Sequence, residues 1–389
     1  MSNNTISQPS LQTKSLSTNL STKYSRQEQL ERWLQQTFVN QTFILNSLPG
    51  DASARRYHRI QLFDSSQSPN SNLDQKPSAQ YIVMDSQDEK EAMQQFVNVT
   101  KLMAPAINVP KLIAQDLSQG FLVLQDFGPV EFAHLLTDAT PKQVDDYYQW
   151  AMQSLIALQS VALKTAKERH QLPDYDAQTL NREMDLFSEW FVPFIGVSLD
   201  KSIWDNLKSA LVKAILVQPQ VIVHRDYHSR NLMQDQVDMS RLGIIDFQDA
   251  LIGAYSYDLV SLVRDAYVEW PEHEVSQWIY DFWQMQQQAG LRAADSAEQF
   301  ENDVNVMGVQ RHLKVLGIFI RLFERDGKDR YLADIPKVMR DLLFELDWLE
   351  KNSQQSDEQG NKDLQQALTS FNQWLKSKAL PAYQHKFAE

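Results

Sequence analysis

Apolar positions along the chain follow two regimes. Leu30, Trp33, Leu34 and Phe38 recur at 3–4 spacing and predict a short amphipathic helix. Three strand-like runs follow, Phe43–Leu48, Arg56–Phe63 and Tyr81–Asp85, and the Ser-, Asn-, Gln- and Pro-rich stretch Asp64–Gln80 reads as a long hairpin loop. Ala92, Phe96, Val99 and Met103 mark one face of a helix, and Phe121–Asp126 is a compact apolar strand. The first part therefore predicts a small sheet with one helix packed on it.

Beyond Gly128 the period becomes helical. Val144, Tyr148, Ala151, Leu155, Leu158 and Ala162 line one stripe, and Val306, Val309, Leu313, Leu316, Ile320 and Phe323 another. Both stripes are read as core. Lys351–Asp363 is a polar loop before a last helix with Leu364, Leu368, Phe371 and Leu375. Two short strands interrupt this half, Val221–Val223 and Leu242–Ile245. The expected organisation is α+β and bilobal: a disordered tail over 1–25, a small lobe over 26–127 and a larger helical lobe over 128–389. The tail rests on eleven Ser or Thr among its 25 residues and on the absence of an apolar core of signal-peptide type.

At 389 residues the chain exceeds what one hydrophobic core holds, which supports two lobes. A net charge of −13 argues against a nucleic-acid or anionic-membrane partner. Zero cysteines exclude a disulfide framework, a Cys-ligated zinc site and thiol catalysis. With no run of about 18 apolar residues, the expectation is a cytoplasmic protein, monomeric, acting on a small molecule.

The chemistry gathers where the two short strands stop. Val221–Val223 runs into His224-Arg225-Asp226-Tyr227-His228-Ser229-Arg230-Asn231, and Leu242–Ile245 into Asp246-Phe247-Gln248-Asp249. Strand ends hold side chains rigidly. Asp226, Asn231 and Asp246 offer hard oxygen donors suited to magnesium. A second reading takes the alternating His224, Asp226 and His228 as ligands of a hydrolytic metal.

This arrangement resembles the kinase-like phosphotransferases, whose pattern H-x-D-x-x-x-x-N is followed by a strand reading I-D-x-x-D. The second half, with Tyr257-Asp258-Leu259-Val260 downstream, resembles the aminoglycoside phosphotransferase branch. Gly50 through Tyr57, His224 through Met233, Ile245 through Ala250, Arg311 through Val315 and Arg325 through Asp334 resemble the bacterial anomeric sugar kinases, over roughly residues 30–350. Those enzymes phosphorylate N-acetylmuramate and N-acetylglucosamine at C1 during cell-wall recycling.

The resemblance implies ATP and Mg2+ as cofactors and an amino sugar as acceptor. It makes Asp226 the catalytic base, gives Asn231 and Asp246 the magnesium with Asp249 nearby, and makes Asp258 the brace of the catalytic loop. Capping its own helix is a compatible role for Asp258. Adenine falls to main-chain groups of Gln125, Asp126 and Phe127. Met84 stands where protein kinases carry a phosphate-binding lysine, and Gly50-Asp51-Ala52-Ser53 has a single glycine. Arg55 and Arg56 are either the substitute phosphate ligands or ordinary surface and ion-paired arginines. Glu89 and Glu91 either anchor such an arginine or are surface charge. For the acceptor, Glu183, Glu189 and Trp190 are candidates, against a reading in which Leu186 and Trp190 simply pack inward. Arg264, Arg311 or Lys314 would pair with a lactyl carboxylate, or be solvated. Rival functions are phosphorylation of an aminoglycoside or other small alcohol, and a non-catalytic pseudokinase.

Overall fold

The computed structural model describes residues 24–49, 55–64, 76–87, 90–352 and 359–388. The described chain forms two compact units, one reaching up to Gln87 and including Ala114–Val123, the other holding Asp88–Ile113 and everything from Leu124 on.

The first unit is built on a five-stranded sheet in the order β1-β2-β3-β5-β4, with β1 Gln41–Ser47, β2 Arg56–Asp64, β3 Ala79–Asp85, β4 Leu112–Asp116 and β5 Phe121–Gln125. β1, β2 and β3 run antiparallel, with Leu45 opposite Ile60 and Leu62 opposite Ala79. Helix α1 (Arg26–Thr37) starts at a capping box: Glu28 N–H donates to Ser25 Oγ (3.3 Å) and Ser25 N–H donates to Glu28 Oε2 (2.7 Å). Its apolar stripe, Leu30, Trp33 and Leu34, is buried on Ile60, Leu62, Val83, Phe121 and Val123. Arg26 pins the start of the helix, donating to Asp85 Oδ1 (2.7 Å) and to the Gln119 carbonyl (2.7 Å) while lying over the Phe121 ring. The helix on the sheet is thus α1. The second predicted helix, α2 (Lys90–Met103), falls in the other unit, where Phe96 packs on Phe247 and Asn98 donates to the His170 carbonyl (2.6 Å). Most of the predicted hairpin loop, the 1–23 stretch, Gly50–Ala54 and Glu89 lie outside the described residues.

The second unit is mainly helical: α3 Phe132–Thr137, α4 Pro141–Gln159, α5 Leu163–His170, α6 Ala177–Leu186, α7 Val192–Phe194 and α8 Lys201–Leu216 precede the site. After it come α9 Tyr257–Val263, α10 Glu272–Gln288, α11 Ala297–Asp326, α12 Ile335–Asn352, α13 Gln359–Trp374 and α14 Leu380–Ala388. α11, 30 residues long, buries Val306, Val309, Leu313, Leu316 and Ile320 as the stripe predicts, and packs on α6, α9 and α12. Gly317 lets α11 approach α6: a Cβ there would meet the Leu186 carbonyl carbon at 2.3 Å. The predicted polar loop at 351–363 is shorter than expected, because α13 already begins at Gln359. No described helix is long and apolar enough to cross a membrane.

Four short strands stand between α8 and α9 where two are predicted: β6 Gln220–Val223, β7 Leu232–Gln234, β8 Leu242–Ile244 and β9 Leu251–Ala254. β6 pairs with β9 and β7 with β8, so the two motif-bearing strands are not sheet neighbours. Their ends are brought together by the β7–β8 pairing, which the Ile245 N–H extends by donating to the Asn231 carbonyl (3.0 Å), and by the His224 side chain.

Candidate functional site

The loop after β6 is held from beneath. Asp258, buried in the first turn of α9, accepts the His224 N–H (2.6 Å) and the Arg225 N–H (3.0 Å). Burial pushes its carboxyl up to about 7, against the pull of those two amides and of Arg311. Arg311 Nη1 donates to the Arg225 carbonyl (3.2 Å). These bonds hold Arg225 in the left-handed region at φ 78°, unusual for a residue with a side chain.

His224 ties the loop to the second motif. Its Nδ1 accepts the Asp226 N–H (3.3 Å), so the ring proton resides on Nε2 and is donated to the Ile245 carbonyl (3.1 Å). Burial lowers this imidazole to about 4, which keeps it neutral. Asn231 completes the arrangement: its Nδ2 donates to the Asp226 carbonyl (2.9 Å) and lies 3.4 Å from Asp246 Oδ2. Asp246, at φ 63°, is also left-handed. The three residues singled out by spacing are therefore gathered in one place, although β6 and β8 do not pair.

Their electrostatics differ. Burial pushes Asp226 up, but Lys314 and Arg311 outweigh it and hold the carboxyl below its ordinary range, so it is ionised at neutral pH. Asp246 moves the other way, raised by desolvation and by the negative Asp226 and Asp249. Gln248 Nε2 donates to Asp246 Oδ1 (2.7 Å), fixing the carboxylate. Asp246 and the neighbouring Asp249 are exposed. An exposed carboxylate beside like charges and an amide suits a hard divalent cation that takes its other ligands from phosphate oxygens and water, as magnesium does. Among the described residues no group of three His, Cys, Asp or Glu is placed to hold a metal. The hydrolytic reading of His224, Asp226 and His228 is thereby lost: His224 spends both nitrogens inside the protein.

Several acceptor candidates prove to be internal. Glu183, on α6, is buried and paired with Arg225 Nη2 (2.5 Å), Lys314 Nζ (3.1 Å) and the Tyr175 hydroxyl. Lys314 and Arg311 both donate to the Tyr257 hydroxyl (3.1 and 3.2 Å), so neither is solvated. Arg264 makes a two-pronged pair with Glu272 (2.9 and 3.0 Å) and is buried, so it does not wait for a lactyl carboxylate. Glu189 is exposed and Trp190 half-buried on a π-type turn, Phe187–Phe191, whose inward residues are Phe187 and Phe191 rather than Leu186 and Trp190.

The nucleotide candidates also sort out. Arg56 is the first residue of β2, with Arg55 immediately before it. Arg56 shares the α1-covered face with His58 and lines a cavity of about 640 Å³ with Arg26, Gln27 and Gln35. In the second unit the Gln125 N–H donates to the Lys111 carbonyl (2.9 Å), and the Phe127 carbonyl accepts from Gln236 (3.1 Å). Asp126 Oδ1 caps Gly128 N–H (2.8 Å). Glu91 is exposed, as surface charge would be.

Sequence reasoning passes over Asp265 and the Tyr175–Tyr257 pair. Asp265, seven positions after Asp258 (265 − 258), accepts the Ser229 N–H at 2.7 Å. It lies two residues beyond the end of α9, and no periodic pattern in the sequence points to it.

Comparison with known proteins bears on what the loop does. The model of a family described as APH, phosphotransferase enzyme family, matches residues 45–296. A protein of Neisseria meningitidis serogroup B named N-acetylmuramate/N-acetylglucosamine kinase is 37% identical over 81% of this chain and 89% of its own length. One of the same name from Pseudomonas aeruginosa is 40% identical over 75% and 80%. Among solved structures, the GDP complex of aminoglycoside 2'-phosphotransferase-IIIa superposes with a TM-score of 0.55 at 13% identity, covering 81% of this chain and 98% of that one, a likeness of fold.

Proposed function

This chain belongs to the phosphotransferase enzyme family (APH), and from that premise we propose that it is an ATP-dependent kinase of the anomeric C1 hydroxyl of N-acetylmuramate and N-acetylglucosamine. The product would be the α-1-phosphate, feeding nucleotide-sugar synthesis in peptidoglycan recycling. One structural observation supports the phosphotransfer: Asn231 bridges the main chain of Asp226 and the carboxylate of Asp246, joining a base to a cation site. The acceptor rests on the names of the relatives at 37% and 40% identity.

Asp226 accepts the proton of the C1 hydroxyl as its oxygen bonds to the γ-phosphorus. The bond from that phosphorus to the bridging oxygen breaks, ADP leaves, and Asp226 returns its proton to solvent. Lys314 and Arg311 keep Asp226 ionised but weakly basic. That suits a hemiacetal hydroxyl, which is more acidic than an ordinary alcohol. Asn231 and Asp246 are the residues that would hold magnesium, whose charge offsets that of the phosphates. Adenine is assigned to main-chain groups of the Gln125–Phe127 segment, and a phosphate role to Arg55 and Arg56.

The test is magnesium-dependent ADP release with N-acetylmuramate, N-acetylglucosamine, their 1-O-methyl glycosides and kanamycin. Turnover of the free sugars and not of the blocked glycosides is expected. Turnover of kanamycin alone would replace the acceptor and leave Asp226 in its role, and absence of turnover with every acceptor would favour the pseudokinase.

A further inference from the structure

The loop from His224 to Asn231 carries the base near its start and the amide ligand at its end. Asp258 binds only the first two of its N–H groups. The second half is held in part by main-chain bonds, the Ala133 N–H to the Ser229 carbonyl (3.3 Å), the Asn231 N–H to the His228 carbonyl (2.9 Å) and the Ile245 N–H to the Asn231 carbonyl (3.0 Å), which leave the Ser229 N–H in need of a partner. The chain just beyond α9 supplies it. Asp265, 2% exposed, accepts the Ser229 N–H on Oδ2 (2.7 Å) and the Tyr267 N–H on Oδ1 (2.9 Å). Tyr267 in turn forms the bed on which this half of the loop rests. The Arg230 guanidinium lies 3.5 Å from the centre of its ring, and the His228 ring meets it edge-on at 5.4 Å.

We propose that Asp265 is a positioning residue for phosphoryl transfer, clamping the second half of the loop and thereby the aim of Asn231, as Asp258 clamps the first half. The inference rests on the reading of this loop as the transfer loop. Its specificity comes from what the two oxygens hold. One takes the main chain two residues before Asn231, the other the main chain of the residue whose ring carries Arg230, immediately before Asn231. Both bonds run from a main-chain N–H to a side-chain oxygen of a buried residue, at 2.7 and 2.9 Å. Asp265 is buried with both oxygens turned to main-chain N–H groups, so it acts through the loop. A displacement of about 1 Å at a reacting group can cost on the order of 100-fold in rate.

The experiment compares wild type with Asp265→Asn, which keeps the shape but turns an amide N–H toward one of the two donors. Wild-type turnover is measured first in the same assay, so a failure of the functional reading appears there as absent turnover, distinct from a failure of the clamp. In the variant, kcat should fall ~10- to 100-fold with KM for ATP and for the sugar within about threefold, because the loop loses aim while the binding surfaces persist. Amide hydrogen exchange of the unliganded protein gives a readout independent of turnover: the Ser229 N–H should be protected in wild type and accelerated in the variant, with α11 amides unchanged. A variant turning over within about twofold of wild type overturns the clamp. So does a Ser229 amide that exchanges at the unprotected rate in wild type, a result that stands even if the variant does not fold. Rate loss accompanied by exchange throughout α11 marks a merely structural carboxylate and also overturns it.

Discussion

Arg225 and Asp246 flank the reacting groups, and both carry side chains through backbone that favours glycine. At Arg225 the strain is held by Asp258, by Arg311 and by the pairing of its own guanidinium with Glu183. Arg225→Gly and Arg225→Ala both abandon Glu183, but only alanine keeps the steric cost, so glycine should lose less stability by about 1 kcal/mol in urea unfolding. At Asp226 the expected effect is on rate alone: Asp226→Asn should lower turnover ~10²–10⁴-fold while calorimetry shows ATP binding preserved. Unchanged turnover would remove the base assignment. At this scale the sequence was readable where spacing constrains it, as for Asp226, Asn231 and Asp246. It was unreadable where a charge is free to choose its partner. Nothing in the order of residues says that Glu183 meets Arg225 or that Arg264 meets Glu272; tertiary packing makes those choices.

Long periodic elements announce themselves and very short ones do not. α11 shows its stripe from Val306 to Phe323, whereas β7, with three residues, and β9, with four, are too brief for any period. They were missed, although they are the partners that give β6 and β8 their hydrogen bonds. α11 also has a weak point that helix propensity would misjudge. Gly317→Ala should favour the isolated helix, yet its Cβ would fall 2.3 Å from the Leu186 carbonyl carbon. The variant should be destabilised by ~1–3 kcal/mol as α6 and α11 are forced apart. A rise in Tm would show that the two helices have slack.

At the scale of the whole protein, buried titratable groups link folding to pH with opposite signs. Burial holds His224 at about 4 against an ordinary 6.5, so the unfolded chain takes up a proton that the folded one refuses, and stability is lost as pH falls from about 6.5 to about 4. Asp303, which accepts the Tyr255 hydroxyl (2.7 Å), is raised by burial from 3.8 to about 6. Its contribution is lost as pH rises from about 4 to about 6. Between about pH 4 and 6 the two contributions therefore oppose and largely offset one another. Asp303→Asn should be more favourable relative to wild type at pH 7 than at pH 4 by denaturant titration; an equal difference at both would mean that Asp303 is not titrating.

The first unit is not one continuous stretch: the chain leaves it after Gln87 and returns with Ala114–Val123. β5, which brings Phe121 and Val123 to the core beneath α1, sits between β3 and β4 in the sheet. On the ribosome, then, β1 to β3 emerge long before the strand that must lie beside β3. A nascent chain halted before β5 presents an open β3 edge and a half-covered α1, a form suited to capture by chaperones and to pairing with a neighbouring chain. Synthesis speed between residues 87 and 125 therefore bears on how much of this protein reaches its folded state.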